Sequence, residues 1–166
     1  MSSITANIST VKIHERVLRD TEHFLRTVGA KGFEGMVFWV AKTVSTTEAI
    51  VYKAYIPPEQ YGLRSKDGVA VILPPEGHSN FIASLGSGDI GLVKLHSHPR
   101  QAYLSPTDLA NPAFCFEGAF NIVIPEYCRH TLNSLTHCSV NRFINRRWKQ
   151  LTEYEISTIF GSRGGQ

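Results

Sequence analysis

Two histidines one residue apart, His96 and His98, stand in the run Leu95-His96-Ser97-His98-Pro99, and Ser105-Pro106-Thr107-Asp108 follows closely. Imidazoles and a carboxylate are zinc ligands, so the question is whether these groups can meet at one ion. On a strand, side chains alternate between faces, which puts His96 and His98 on the same side, about 6.5–7 Å apart along the backbone. Imidazoles leaning inward from that spacing reach a single zinc, which takes nitrogen ligands at about 2.0–2.1 Å. Lys94 shares their face, and Val93 and Leu95 take the other. Pro99 holds His98 in an extended conformation to the end of the strand. The pair alone is equally compatible with two histidines at a strand end that bind nothing.

Ser105, then Pro106 at the first helical position, then Asp108 at the third, is also a helix start by local rules. Capping and chemistry are compatible. A helix start beside the strand end aims the Asp108 carboxylate and the Ser105 hydroxyl back at the histidines. Two histidines, one carboxylate and an open fourth position form a catalytic rather than a structural zinc set. Such a site needs a base, and Glu34 is the candidate. It shares a strand face with Met36 and Phe38, which implies partial burial, and a buried carboxylate needs a partner. The other account of Glu34 is a solvated residue just after a turn.

The elements that must position these groups form one domain of 166 residues, 42% apolar and 19% charged. That composition is globular and allows a sizeable core. Apolar spacing predicts a helix over residues 10–28, stopped by Gly29. Residues 32–42 and 48–57 are rich in β-branched and aromatic side chains and read as a hairpin, with residues 68–74 as a third strand. A helix that starts at Glu76 and stops at Gly86, a strand over 90–98, a short helix opening at Ser105 and ended by Pro112, and strands over 119–125 and 138–148 follow. The last helix, 151–160, carries Thr152 and Glu155 in capping-box spacing. Residues 1–9 read as a polar leader, 10–160 as the domain and 161–166 as a flexible tail.

The net charge of +3 gives no nucleic-acid footprint. The local cluster Arg142, Arg146, Arg147 and Lys149 reads as a solvated strand edge. The first ten residues have neither the basic nor the apolar region of a signal peptide, and no apolar run is long enough to span a membrane. Three cysteines without a C-x-x-C pair, Cys115, Cys128 and Cys138, fit reduced thiols in a cytoplasm. Trp39 and Trp148 read as core and core-edge aromatics. His14, His23, His78, His130 and His137 lack ligand spacing and read as surface.

Taken together, Glu34, His96-Ser97-His98-Pro99 and Ser105-Pro106-Thr107-Asp108 resemble the JAMM, or MPN+, metalloprotease family. Its pattern is a distant Glu, H-[ST]-H-P, and S-x-x-D. The likeness covers about residues 10–150. Two departures stand out. The stretch from Pro99 to Leu104 is one residue shorter than the family's commonest spacing, and Gly35 follows the Glu at once where many members place a Gly three residues on. The resemblance implies an α/β fold, a single MPN/JAB-type domain with a mixed central sheet flanked by helices. It implies one Zn2+ held by His96, His98 and Asp108, with Glu34 as the acid/base and Ser105 hydrogen-bonding the oxyanion or the water. It further implies an isopeptidase or peptidase acting on a ubiquitin-like protein and its conjugates. The compact chain looks like the stand-alone bacterial members that accompany E1-like and E2-like proteins in anti-phage operons of the Bil and CBASS kinds. Residues 57–67 and 74–80 would be substrate loops.

Three other readings compete. An inactive MPN-type scaffold would lack part of the ligand set, which is complete here. A zinc nucleobase deaminase needs H-x-E and P-C-x-x-C, which are absent. A Cys-His protease could be drawn from Cys128 and His130, but no group is in view to orient the histidine.

Overall fold

Six consecutive residues, Met36 to Ala41, are buried, a run that only a strand covered on both faces can carry. The computed structural model describes residues 4–110 and 114–161. Its strands are β1 (Thr10–Ile13), β2 (Met36–Thr43), β3 (Glu48–Tyr55), β4 (Tyr61–Ser65), β5 (Gly68–Ile72), β6 (Ile90–Ser97), β7 (Phe120–Ile124), β8 (Ser139–Ile144) and β9 (Arg147–Gln150). The helices are α1 (Glu15–Ala30), α2 (Pro75–Ser84), α3 (Pro106–Ala110) and α4 (Glu153–Phe160). Among the described residues the main sheet runs β1-β3-β2-β6-β7-β8-β9, and β4 and β5 form a separate hairpin. The sheet is mixed: β1 with β3 and β6 with β7 are parallel, and the other neighbours are antiparallel. The fold is therefore the α/β class with a mixed central sheet flanked by helices.

The two faces of β2 divide the core. Val37 and Trp39 pack with Leu95 and Ile122 against Leu25 of α1 and Ile156 and Ile159 of α4. The Trp39 indole N–H donates to Thr21 Oγ1 at 2.9 Å, satisfying its one polar atom in the interior. On the opposite face Met36, Phe38 and Val40 meet Leu73 and Phe81. The histidine pair is on that second face, because Met36 pairs with His96 and Phe38 with Lys94. No helix among the described residues is long and apolar enough to cross a membrane.

Several elements differ from the sequence expectation. Residues 10–13 form a strand, and the helix begins only at Glu15. Ile13 fits both periods, but Val11 and Ile13 alternate with Thr10 and Lys12 in burial, and the parallel pairing with β3 decides. The leader is not merely polar, since Ile4–Asn7 make a 3-10 turn and Ile8 is buried in the core. Residues 57–67 are not all loop, because Tyr61–Ser65 is a strand of the hairpin that turns at Lys66-Asp67. Residues 74–80 are mostly helix.

Residues 138–148 are not one strand. They fold back at Asn145 and Arg146, both at positive φ (52° and 63°), and the two backbone N–H groups donate to the Glu117 carboxylate. Arg142 of the basic cluster is not solvated, since its guanidinium donates to the carbonyls of Thr5, Ala6 and Ile8. The Thr152–Glu155 capping box forms as its spacing requires. Pro112 and residues 162–166 lie outside the described residues.

Gly118 ties the N-terminal turn to the sheet. Its φ is +88°, and a Cβ there would meet the Thr5 carbonyl oxygen at 2.1 Å. Gly118→Ala should destabilise the fold by at least about 1 kcal/mol. In a thermal melt that appears as a drop of about 3 °C or more.

Candidate metal centre

β6 delivers both imidazoles to one point. His96 Nε2 and His98 Nε2 are 3.1 Å apart, and His96 is 1% exposed. Each ring has a distinct setting. His98 Nδ1 lies 3.1 Å from the Gln101 carbonyl. An Nδ1–H donated to that carbonyl leaves the Nε2 lone pair facing its neighbour. His96 Nδ1 is buried and has no partner among the described residues. The loop after β6 is pinned by backbone bonds: His98 N–H donates to Ile124 O at 2.8 Å, and Tyr127 N–H donates to His98 O at 2.8 Å.

The start of α3 brings the carboxylate. Asp108 Oδ1 is 3.1 Å from His96 Nε2, and Oδ2 is 3.6 Å from His98 Nε2. Oδ2 also accepts from the Ser105 N–H and hydroxyl, each at 2.8 Å, and the Asp108 N–H donates to Ser105 Oγ at 3.2 Å. The helix-start role and the approach to the histidines thus coexist in one side chain. Burial alone would raise the Asp108 pKa, but the bonds from His96 and His98 hold it well below the usual carboxylate range. Burial lowers the His96 pKa against the pull of Asp108. At His98 burial acts the same way, but Asp108 and Glu34 outweigh it and the pKa rises.

These three groups could hold a metal ion, with one ligand atom from each lying within 4.8 Å of the others. Zinc bonds of 2.0–2.1 Å in a tetrahedron place ligand atoms about 3.3 Å apart. The observed separations, 3.1 Å between the two Nε2 atoms, 3.1 Å from His96 Nε2 to Asp108 Oδ1 and 3.6 Å from His98 Nε2 to Asp108 Oδ2, are of that size, the carboxylate facing each histidine through a different oxygen. Two nitrogen lone pairs and a carboxylate converging in a buried place are a cation-binding arrangement, so the donor set fits the metal.

Glu34 lies two residues ahead of β2. Because Met36 pairs with His96, carrying the antiparallel register two residues further sets Glu34 across from His98. The ladder does continue: Ser97 N–H donates to Gly35 O, and Gly35 N–H donates to Ser97 Oγ, both at 3.0 Å. Burial pushes the Glu34 carboxyl up to about 7, with His98 pulling it back and Asp108 adding to the rise. Glu34, His98, Ser105 and Asp108 all line a groove of about 690 Å³, bordered by β5 on one side and by Pro99, Arg100 and Tyr103 on the other.

Three supporting residues had no structural role in the sequence reading. Ser97, between the histidines, is buried and ties their strand to Gly35. Gly35 is needed because a Cβ there would meet Phe24, Leu25 and Val28 of α1 at 2.9 Å. Gln60 clamps the start of β2, its Oε1 accepting from Met36 N–H and its Nε2 donating to Met36 O, both at 2.8 Å. Among the expected surface histidines, His78 is half-buried and stacks on Phe38. His137 is half-buried beside His130. The Cys-His reading fails on chemistry, because burial pushes the Cys128 thiol up to about 11 and leaves no thiolate near neutral pH.

The probable metalloprotease y4jG of Sinorhizobium fredii (strain NBRC 101917 / NGR234) is 32% identical to this chain over 128 residues, 76% of this chain and 78% of that protein. The chain belongs to this metalloprotease family. Within it, the Glu34, H-S-H-P and S-P-T-D pattern on a mixed α/β sheet resembles the MPN/JAB kind. No protein-family model matches the sequence. Among solved structures, protein DSY2949 from Desulfitobacterium hafniense shares the fold, with a TM-score of 0.51 at 17% identity over 86% of this chain and 90% of that one. AF2198, a JAB1/MPN domain protein from Archaeoglobus fulgidus, aligns with a TM-score of 0.47 at 14% identity over 84% of this chain and 94% of that one.

Proposed function

We propose that this member of the family is a zinc-dependent peptidase whose ion is held by His96, His98 and Asp108. The observation that carries the reading is the convergence of two Nε2 atoms and a carboxylate at the base of a groove, with Glu34 across from His98. A zinc ion there would supply Lewis acidity and bring the pKa of a coordinated water toward 7. The protein's own part follows from its geometry. Glu34, a half-buried carboxylate whose pKa burial raises, takes the proton of the attacking water and returns it to the leaving amine. Ser105 donates its hydroxyl hydrogen to the oxygen on which charge develops, exchanging it from Asp108. The His98–Gln101 bond and the Ser105–Asp108 bonds hold the ligands in place without substrate.

Ser105→Ala should lower kcat by about 10²–10³, the usual cost of removing an oxyanion donor. Steady-state kinetics at equal zinc occupancy measures it. An unchanged kcat would confine Ser105 to helix capping.

The substrate we propose is a ubiquitin-like protein, cut from a lysine or trimmed of a C-terminal extension, in a cytoplasmic conjugation system with E1-like and E2-like proteins. Its support is the resemblance of the motif, together with a groove that an extended chain end can enter. A catalytically inactive scaffold is disfavoured because no ligand is missing. The test is elemental analysis of the purified chain, followed by incubation with a linear fusion and with a lysine isopeptide of a ubiquitin-like protein. About one zinc per chain and cleavage of either substrate are expected. A chain that takes up no zinc when offered it would sink the peptidase reading. Zinc without cleavage of either substrate would sink the ubiquitin-like assignment. Neighbouring E1-like and E2-like reading frames are expected if the deconjugation role is right.

A further inference from the structure

The face of β6 that bears the two histidines carries a third polar side chain. Lys94 is 2% exposed, although lysine is among the residue types least often buried. Its register partners are Phe38 on β2 and Asn121 on β7, and Phe38 belongs to the apolar cluster with Met36, Leu73 and Phe81. Among the described residues the Lys94 ammonium makes no hydrogen bond and no ion pair. Asn121, beside it, is buried with its Oδ1 also unpartnered. Burial lowers the Lys94 pKa, and the acidic groups that pull it back up are Asp108 and Cys115; the Asp108 carboxylate is already taken up by Ser105 and faces both imidazoles.

The Lys94 stem is packed away while its ammonium still meets solvent in the groove, and a thinly hydrated cation favours an anion that comes to it. The side open to a partner is the groove, which Lys94 lines together with Met36, Leu73, Thr107 and Asp108. We propose that Lys94 is the groove's carboxylate-binding point and holds a carboxylate of the peptide substrate close to the cleaved bond. His96 is two residues further along β6, about 6.5–7 Å away, which is the span of about two extended peptide residues. The anion therefore sits within about two residues of the scissile amide. Apolar walls strengthen such a pair relative to water. The carboxylate can come from a free C-terminus or from an Asp or Glu side chain. This inference rests on the peptidase reading.

The test uses the full chain, dialysed free of metal and chelator so that a carboxylate finds no ion to bind. The first pair of probes is acetyl-glycyl-glycine and its amide, and the second is acetyl-Gly-Gly-Glu-Gly-amide and its Gln counterpart. Amide chemical shifts are followed in wild type, Lys94→Met and Lys94→Arg. At least one acidic probe should bind tenfold or more tightly than its neutral counterpart, shifting the Met36, Leu73 and Thr107 signals. Lys94→Met should bring the ratio below two, and Lys94→Arg should keep part of it. A preference in the first pair identifies a chain end, and one in the second an acidic side chain. Equal binding within both pairs by wild type overturns the proposal, as does a ratio that survives Lys94→Met. If Lys94→Met does not fold, Lys94→Gln is read in the same way. Since binding is read without hydrolysis, failure of the peptidase reading shows as absent turnover with zinc, and failure of this one as an absent ratio.

Discussion

Asp108→Ala is expected to strip the chain of its metal and of measurable hydrolysis together. Changes in groups that merely support a metal ligand cost about 10–100-fold in affinity, so removing one of three ligands should cost more than about 100-fold. At micromolar protein in a dialysed buffer, zinc per chain should then fall to a small fraction of the wild-type value. The fold itself should survive, because α3 is a five-residue helix with no buried side chain, and the core clusters do not include Asp108. The loss is therefore separable from unfolding by a thermal melt. Asp108→Asn sharpens the result. An amide keeps the size and can still accept from Ser105, but it is a far weaker zinc ligand than a carboxylate. It should lose the metal while keeping the loop. Retention of full zinc occupancy by both variants would mean that the ion sits elsewhere, and the candidate centre would be a capped helix beside two buried histidines.

How far this site could be read from the chain depends on the distance over which each contact acts. The histidine pair is local: period two puts both on one face, and the structure keeps them there. Asp108 is nearly local, because a helix start ten residues on needs only a short loop to face the strand end. Glu34 is different. What places it is an antiparallel register between β2 and β6, about sixty residues apart, and no spacing rule reports a register. The same holds for Gln60 and for the Ser97–Gly35 bridge. Lys94 could be assigned to the histidine face, but its burial comes from its place in the middle of the sheet between Phe38 of β2 and Asn121 of β7, which only the folded chain displays.

The fold follows the same division. The capping box of α4 and the β2–β3 hairpin carry their signals within a few residues. β1 was hidden because Ile13 satisfies both the helical and the strand period, and because a parallel edge strand has its partner 38 residues away in register. The β8–β9 turn was hidden because Asn145 and Arg146 at positive φ are stabilised by the distant Glu117 rather than by a glycine.

Glu34→Gln should leave zinc at one per chain yet lower kcat/KM by about 10²–10⁴, the range that a positioned acid/base contributes. The substitution changes one oxygen for an NH2 group and keeps the residue's volume, so the Gly35–Ser97 bridge and the Gln60 clamp on Met36 should persist. Its effect is then chemical rather than structural. Burial pushes this carboxyl up toward about 7 and a bound dication would draw it back down, a balance suited to a group that must accept a proton and later release it. An amide does neither. KM should change little, since Glu34 acts on the reacting water and not on the bulk of the substrate, so the loss belongs in kcat. Glu34→Asp, shorter by one methylene, should recover only part of the rate because the carboxylate no longer reaches as far toward His98. If Glu34→Gln stays within tenfold of wild type at equal metal content, the base is another group. Glu34 would then be a half-buried carboxylate held by His98, with no part in the proton transfer.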